Sequence, residues 1–133
     1  MGSRWLLDTF ALFALRDDEA GADRVALLLQ GAQSGENLCF VCFMSRMEVL
    51  YRVWKDEGER RARLADGQLQ GLPIQWVPAS DGLLEQAAAL KAGHPLSVAD
   101  AWIAAAARQE AAVLVHKDPE FRALAQLPQE WLG

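Results

Sequence analysis

Four acidic residues occupy positions where a carboxylate calls for a physical explanation. Asp8 closes the apolar run Trp5-Leu-Leu, Glu48 lies beside the apolar face of the Met44–Trp54 segment, Asp100 precedes the run Ala101–Ala107, and Asp118 follows Val113-Leu-Val-His-Lys. Carboxylates gathered in one place repel one another unless a cation lies among them. Hard oxygen ligands of this kind suit Mg²⁺ or Mn²⁺ rather than zinc or copper. Asp8 makes the strongest case, because an acid that ends an apolar strand with few polar neighbours needs a partner such as a bound cation.

Each acid also has a purely structural explanation. Asp100 is the fourth residue of Ser97-Val-Ala-Asp, the pattern of a capping box. Asp118 precedes Pro119, the arrangement of an N-cap followed by proline at the first helical position. Glu48 lies four residues before Arg52 and is placed for an ion pair along a helix, while Asp8 before Thr9 is placed to cap the next helix.

The elements that would carry these residues can be read from the apolar pattern. Strands are expected at Arg4–Asp8, Leu38–Phe43, Ile74–Val77 between two prolines, and Ala112–Val115, with a last edge strand near Glu130–Leu132. Helices are expected over Thr9–Leu15, then from Asp17-Asp-Glu19 to about Gln33, and over Ser45–Glu57, Glu59–Leu69, Ser80–Lys91, Ser97–Gln109 and Pro119–Ala125. In the Ser45–Glu57 helix, Met44, Met47, Leu50, Tyr51 and Trp54 fall on one face by the 3.6-residue period, and this is the face expected to be buried. Strands alternating with helices imply an α/β fold with a largely parallel sheet. In such sheets ligands collect outside the carboxyl ends of the strands, where Asp8 and Asp118 stand.

Composition narrows the function classes. With 133 residues, 52% of them hydrophobic, the chain can bury the core of one domain, expected to span residues 1–133. Its longest apolar run is far too short for a membrane span, and Met1-Gly-Ser-Arg4 leads into Trp5 without the form of a secretory signal. A soluble cytoplasmic protein without membrane attachment is therefore expected. A net charge of -5 argues against a protein that coats nucleic acid with a broad basic surface. The six basic residues between Arg46 and Arg63, against four acidic ones there, are a local exception, although such a run is usually a solvated face. Cys39 and Cys42 lie on one expected strand, and without histidines at ligand spacing they read as reduced core thiols.

The order and spacing of Leu6-Leu-Asp-Thr9, of Glu48 after the second strand, of Leu96-Ser-Val-Ala-Asp-Ala-Trp-Ile-Ala-Ala105 and of Val113-Leu-Val-His-Lys-Asp-Pro-Glu-Phe121 resemble the PIN domain, with the closest likeness to VapC-type toxin ribonucleases. The resemblance spans essentially the whole chain. It implies a three-layer α/β/α fold around a mostly parallel sheet of four to five strands. Asp8, Glu48, Asp100 and Asp118 match the family's four acids in order. Two positions depart from the family: Phe10 stands where a small polar residue is usual, and His116 where Thr or Ser usually supports the acidic cluster.

The resemblance further implies a Mg²⁺- or Mn²⁺-dependent endoribonuclease acting as the toxin of a toxin–antitoxin pair. Asp8, Asp100 and Asp118 would contact metal, and Glu48 would anchor metal or orient the attacking water. It also implies a homodimer that accepts an antitoxin protein, with RNA as substrate. The alternative within the same fold is a non-catalytic module that binds RNA or protein. A phosphotransfer or hydrolase domain would also place an acid at the end of the first strand, but the companion acids such families carry are missing here.

Overall fold

Apolar strands buried on both faces determine the architecture. The computed structural model describes residues 2–133; Met1, counted in the expected single domain, lies outside them. Five strands, β1 (Arg4–Leu7), β2 (Leu38–Cys42), β3 (Gln75–Val77), β4 (Val113–His116) and β5 (Gln129–Trp131), form one sheet in the order β3-β2-β1-β4-β5. Every pairing is parallel, with Trp5 opposite both Cys39 and Val113, Val41 opposite Trp76, and Val115 opposite Glu130. Parallel sheets need helices on both faces, and their central strands read as near-continuous apolar runs.

Alternation along the strands divides the core in two. Leu6, Phe40, Cys42 and Leu114 pack on one side against α5 (Asp81–Gly93), α6 (Val98–Gln109) and a 3₁₀ turn at Pro119–Ala123. Leu7, Cys39, Val41 and Val115 pack on the other against α1 (Thr9–Asp17), α2 (Ala22–Ser34), α3 (Phe43–Glu57) and α4 (Glu59–Gln70). The result is the expected three-layer α/β/α fold, with all five strands present and none antiparallel. Cys39 and Cys42, three residues apart on a strand, face opposite layers as free thiols. Among the described residues no helix is long and apolar enough to cross a membrane.

Two expectations are corrected. Asp17-Asp-Glu19 does not open the second helix: Asp17 ends α1, Asp18 closes it in the left-handed region at φ 52, and α2 begins only at Ala22. Short polar side chains tolerate that conformation, so the acidic triplet serves a helix C-terminus. The face of α3 also differs. Met47 and Tyr51 are exposed at 53% and 43% and Trp54 likewise faces solvent, while Ser45, Glu48, Val49 and Val53 turn inward. The buried stripe is the more polar one because Thr9 on α1 supplies hydrogen-bond partners for Ser45 and Glu48.

The order of the strands positions the site. From β1 the chain moves outward through β2 to β3, then returns to place β4 and β5 on the opposite side of β1. The reversal lies between β1 and β4, the crevice in which open α/β sheets bind ligands. Helices α1 and α3 begin directly after β1 and β2, and α6 runs back to feed β4, so all three present their first turns at this edge.

Candidate acidic site at the sheet edge

Asp8 follows the last residue of β1, and its backbone N–H donates to Val115 O at 3.0 Å, extending the β1–β4 pairing by one step. Its side chain caps α1 as expected, with Oδ1 accepting from Ala11 N at 2.7 Å. The carboxyl is 1% exposed. Burial raises its pKa to about 7, with Asp118 and Glu48 adding repulsion, although the Ala11 and Lys117 backbone N–H groups favour the charged form.

Asp100 lies in the first turn of α6, where Ser97 Oγ accepts from Asp100 N at 3.1 Å. A capping box would have the Asp100 carboxylate take the Ser97 N–H in return. Instead that N–H donates to Glu120 Oε1 at 2.7 Å. The Asp100 side chain is thereby released from capping. It is 6% exposed, and its Oδ2 is buried with no hydrogen-bond partner. Burial, followed by the adjoining Asp118 carboxylate and then Glu120 and Asp8, holds the Asp100 carboxyl well above the usual range.

Asp118 caps the 3₁₀ turn, accepting from Glu120 N at 2.9 Å, with Pro119 at the first position as its sequence implies. Ligand oxygens of Asp100, Asp118 and Glu120 lie within 4.8 Å of one another. Of the four acids expected from the sequence, Asp100 and Asp118 therefore share a cluster. Asp8 and Glu48 fall outside that group of three, although Asp8 is close enough for Asp118 and Glu48 to raise its pKa.

Glu48 does not pair with Arg52. Its Oε1 accepts from Thr9 Oγ1 at 2.6 Å, and Thr9 Oγ1 also lies 3.0 Å from Ser45 Oγ. Arg52 stacks over Phe10 and Tyr51 at 5.1 and 5.6 Å from the ring centroids. Phe10 thus stands between the acidic edge and a guanidinium, lining a shallow cavity of about 320 Å³ with Glu19, Lys117, Asp118 and Pro119. The basic run on α4 is a solvated face: Arg61 and Arg63 pair with Glu57 and Glu59 one turn earlier.

His116 is 2% exposed and fully partnered. Its Nδ1 accepts from Asp118 N at 3.2 Å and its Nε2 contacts Gln129 Oε1 at 2.9 Å. Burial, more than any charge, lowers its pKa, and an Nδ1 that accepts from a backbone N–H belongs to the neutral ring. It therefore supports Asp118 through the backbone rather than reaching into the cluster. Three contributors escaped the sequence reading. Glu120 carries a detectable signal, an acid in the first turn after a capping Asp-Pro, whereas Thr9 and Gln129 act across elements and carry none.

An acidic cluster with a buried oxygen that lacks a donor fits a hard divalent cation, because the cation would neutralise repulsion and satisfy that oxygen together. The fold is shared with proteins of known structure. The chain resembles the VapBC2 complex of Rickettsia felis with a TM-score of 0.76 at 18% identity, covering 96% of this chain and 97% of that one. It resembles VapBC of Salmonella typhimurium at 0.75 and 18% identity, over 100% of both chains. For VapC20 of Mycobacterium tuberculosis, described as a sarcin-ricin loop cleaving toxin, the values are 0.67 and 21%, over 92% of this chain and 95% of that one. Sequence comparison with curated proteins finds no match. The family model of the PIN domain matches residues 5–127, and the chain belongs to the PIN domain family.

Proposed function

We propose that this chain is a divalent-metal-dependent endoribonuclease acting as the toxin of a toxin–antitoxin pair. Two observations at Asp100 carry this reading: its Oδ2 is buried without a hydrogen-bond partner, and its carboxylate lies in a group with Asp118 and Glu120 whose ligand oxygens are within 4.8 Å of one another. Asp100 and Asp118 would hold Mg²⁺ or Mn²⁺, with Asp8 contacting it directly or through water. Such an ion stabilises charge on the attacking and leaving oxygens of a phosphodiester and lowers the pKa of water. Glu48, held by Thr9, would anchor the ion or orient the attacking water. Asp8 is kept in place by its α1 cap, so its orientation does not depend on metal.

The family membership and the likeness to VapBC complexes support an antitoxin partner. The exposed stripe Met47, Tyr51 and Trp54 offers apolar surface for protein contact, in keeping with a homodimer or a bound antitoxin. The acidic balance implies weak RNA binding without metal, since several of the acids lie at the cleavage edge.

Incubation with total RNA in Mg²⁺ or Mn²⁺, followed by mapping of cut ends, tests the proposal. Cleavage that is lost with EDTA and in Asp8→Asn supports it. Undiminished cleavage by Asp8→Asn sinks the assignment, and a protein that neither binds Mn²⁺ nor cuts RNA is the non-catalytic module instead.

A further inference from the structure

The residue at the end of β4 departs from the family's usual Thr or Ser, and its surroundings show what the departure does. Asp118 N can only donate, so His116 Nδ1 must present a lone pair, and the ring hydrogen resides on Nε2. That hydrogen meets Gln129 Oε1. The Gln129 amide then has both its hydrogens free, and Nε2 donates to Phe121 O and Leu124 O, each at 2.8 Å. Only one tautomer and one amide orientation satisfy every group.

Packing holds the same pair. The His116 ring meets Phe121 and Trp131 edge-on, with centroids 5.0 and 5.4 Å away. On the opposite face of β5, Glu130 is clamped by Arg24 of α2 through contacts of 2.7 and 3.0 Å. The edge strand is thus anchored to both helical layers, and from it one side-chain chain runs to the start of the acidic loop and to the end of the 3₁₀ turn. Asp118 is held at its backbone N–H, and Glu120 lies on the turn whose carbonyls Gln129 grips.

We infer that His116 and Gln129 form a coupled positioning pair that sets the geometry of Asp118, and so the affinity of the acidic cluster for a divalent cation. This inference rests on the metal-dependent reading of the site. Groups that orient ligands from behind typically contribute about 10- to 100-fold in metal affinity.

The test is calorimetric titration of the metal-free protein with Mn²⁺, beside thermal melts of the same samples. His116→Gln keeps a donor toward Gln129 and loses the acceptor for Asp118 N; Mn²⁺ binding should weaken by about 10- to 100-fold. His116→Asn keeps an acceptor two residues before that N–H, as in an Asx turn, but not the reach to Gln129, and should recover only part of the affinity. Gln129→Leu should weaken binding as well, and its effect should not add to that of His116→Gln, because the two residues act as one unit. Gln129 is half-buried and lies outside β4, so its variant carries the comparison if His116→Gln does not fold. Variants that melt lower yet bind Mn²⁺ as tightly as the wild type overturn this inference alone. A wild-type protein that takes up no Mn²⁺ overturns the metal-dependent reading, and this inference with it.

Discussion

Glu120 takes the backbone N–H of Ser97 at 2.7 Å, occupying the capping bond that Asp100 would otherwise make and leaving the Asp100 carboxylate free at the sheet edge. One acid on a 3₁₀ turn thereby decides the orientation of another on α6. Glu120→Ala should let Asp100 swing back onto Ser97 N and complete its own capping box. Mn²⁺ affinity should then fall by about tenfold or more, while folding stability changes by no more than about 1 kcal/mol because a cap is retained. Glu120→Gln keeps an acceptor for Ser97 N and should lose less. Calorimetric titration of the two variants checks this, and equal affinities for wild type and Glu120→Ala would contradict it.

The raised pKa of Asp8 makes the metal-free protein sensitive to pH. Its folded value is about 7 against an ordinary value of 3.8, so between these the folded state binds more protons than the unfolded state. Stability should therefore be greatest at the acid end of that window and decline as pH rises toward 7, by roughly a few kcal/mol at most. Burial raises the Asp100 carboxyl in the same sense and extends the decline above pH 7. Urea unfolding of metal-free protein across pH 4 to 9 measures the slope, and saturating Mn²⁺ should restore most stability at the alkaline end.

Asp8→Asn separates catalysis from folding. The amide oxygen still accepts from Ala11 N, so α1 keeps its cap, and the buried charge is removed. RNA cleavage should be abolished while metal-free protein at pH 8 melts higher than wild type. A variant that melts well below wild type at that pH would show that Asp8 is needed for folding rather than strained by it.

Thr9 keeps Glu48 buried by donating to its Oε1 at 2.6 Å. Thr9→Val preserves shape and removes that donor, so the metal-free protein should lose about 1–3 kcal/mol in chemical denaturation. Thr9→Ser keeps the hydroxyl and should lose much less. If Val and Ser behave alike, the hydrogen bond is not what holds Glu48.

Cys39 and Cys42 are buried on opposite faces of β2, and burial pushes both thiols up to about 11. Neither should react with a thiol-specific reagent at pH 8 in the native protein, and both should react once the chain is unfolded in urea.

Much of this architecture was legible in the chain because it depends on local pattern. Apolar runs marked the first four strands, the polar edge strand was expected one residue late, near Glu130–Leu132, and Ser97, Ser80 and Asp118 marked the helix and turn starts that the structure caps with those same side chains. Alternation of strand and helix implied parallel pairing, since a parallel connection needs a crossover element. What stayed hidden depends on groups distant in sequence. The buried face of α3 is the one holding Ser45 and Glu48, which is acceptable only because Thr9 waits 39 residues earlier than Glu48 to satisfy them. Asp100 looked like half of a capping box, and whether its carboxylate capped or stayed free turned on Glu120, 23 residues beyond Ser97. His116 reads as an isolated histidine until Gln129 on the edge strand fixes its tautomer. Propensity and periodicity act within one element, whereas the satisfaction of a buried polar group is settled by whatever the fold brings beside it, and it was this that decided how the acids at the sheet edge are held.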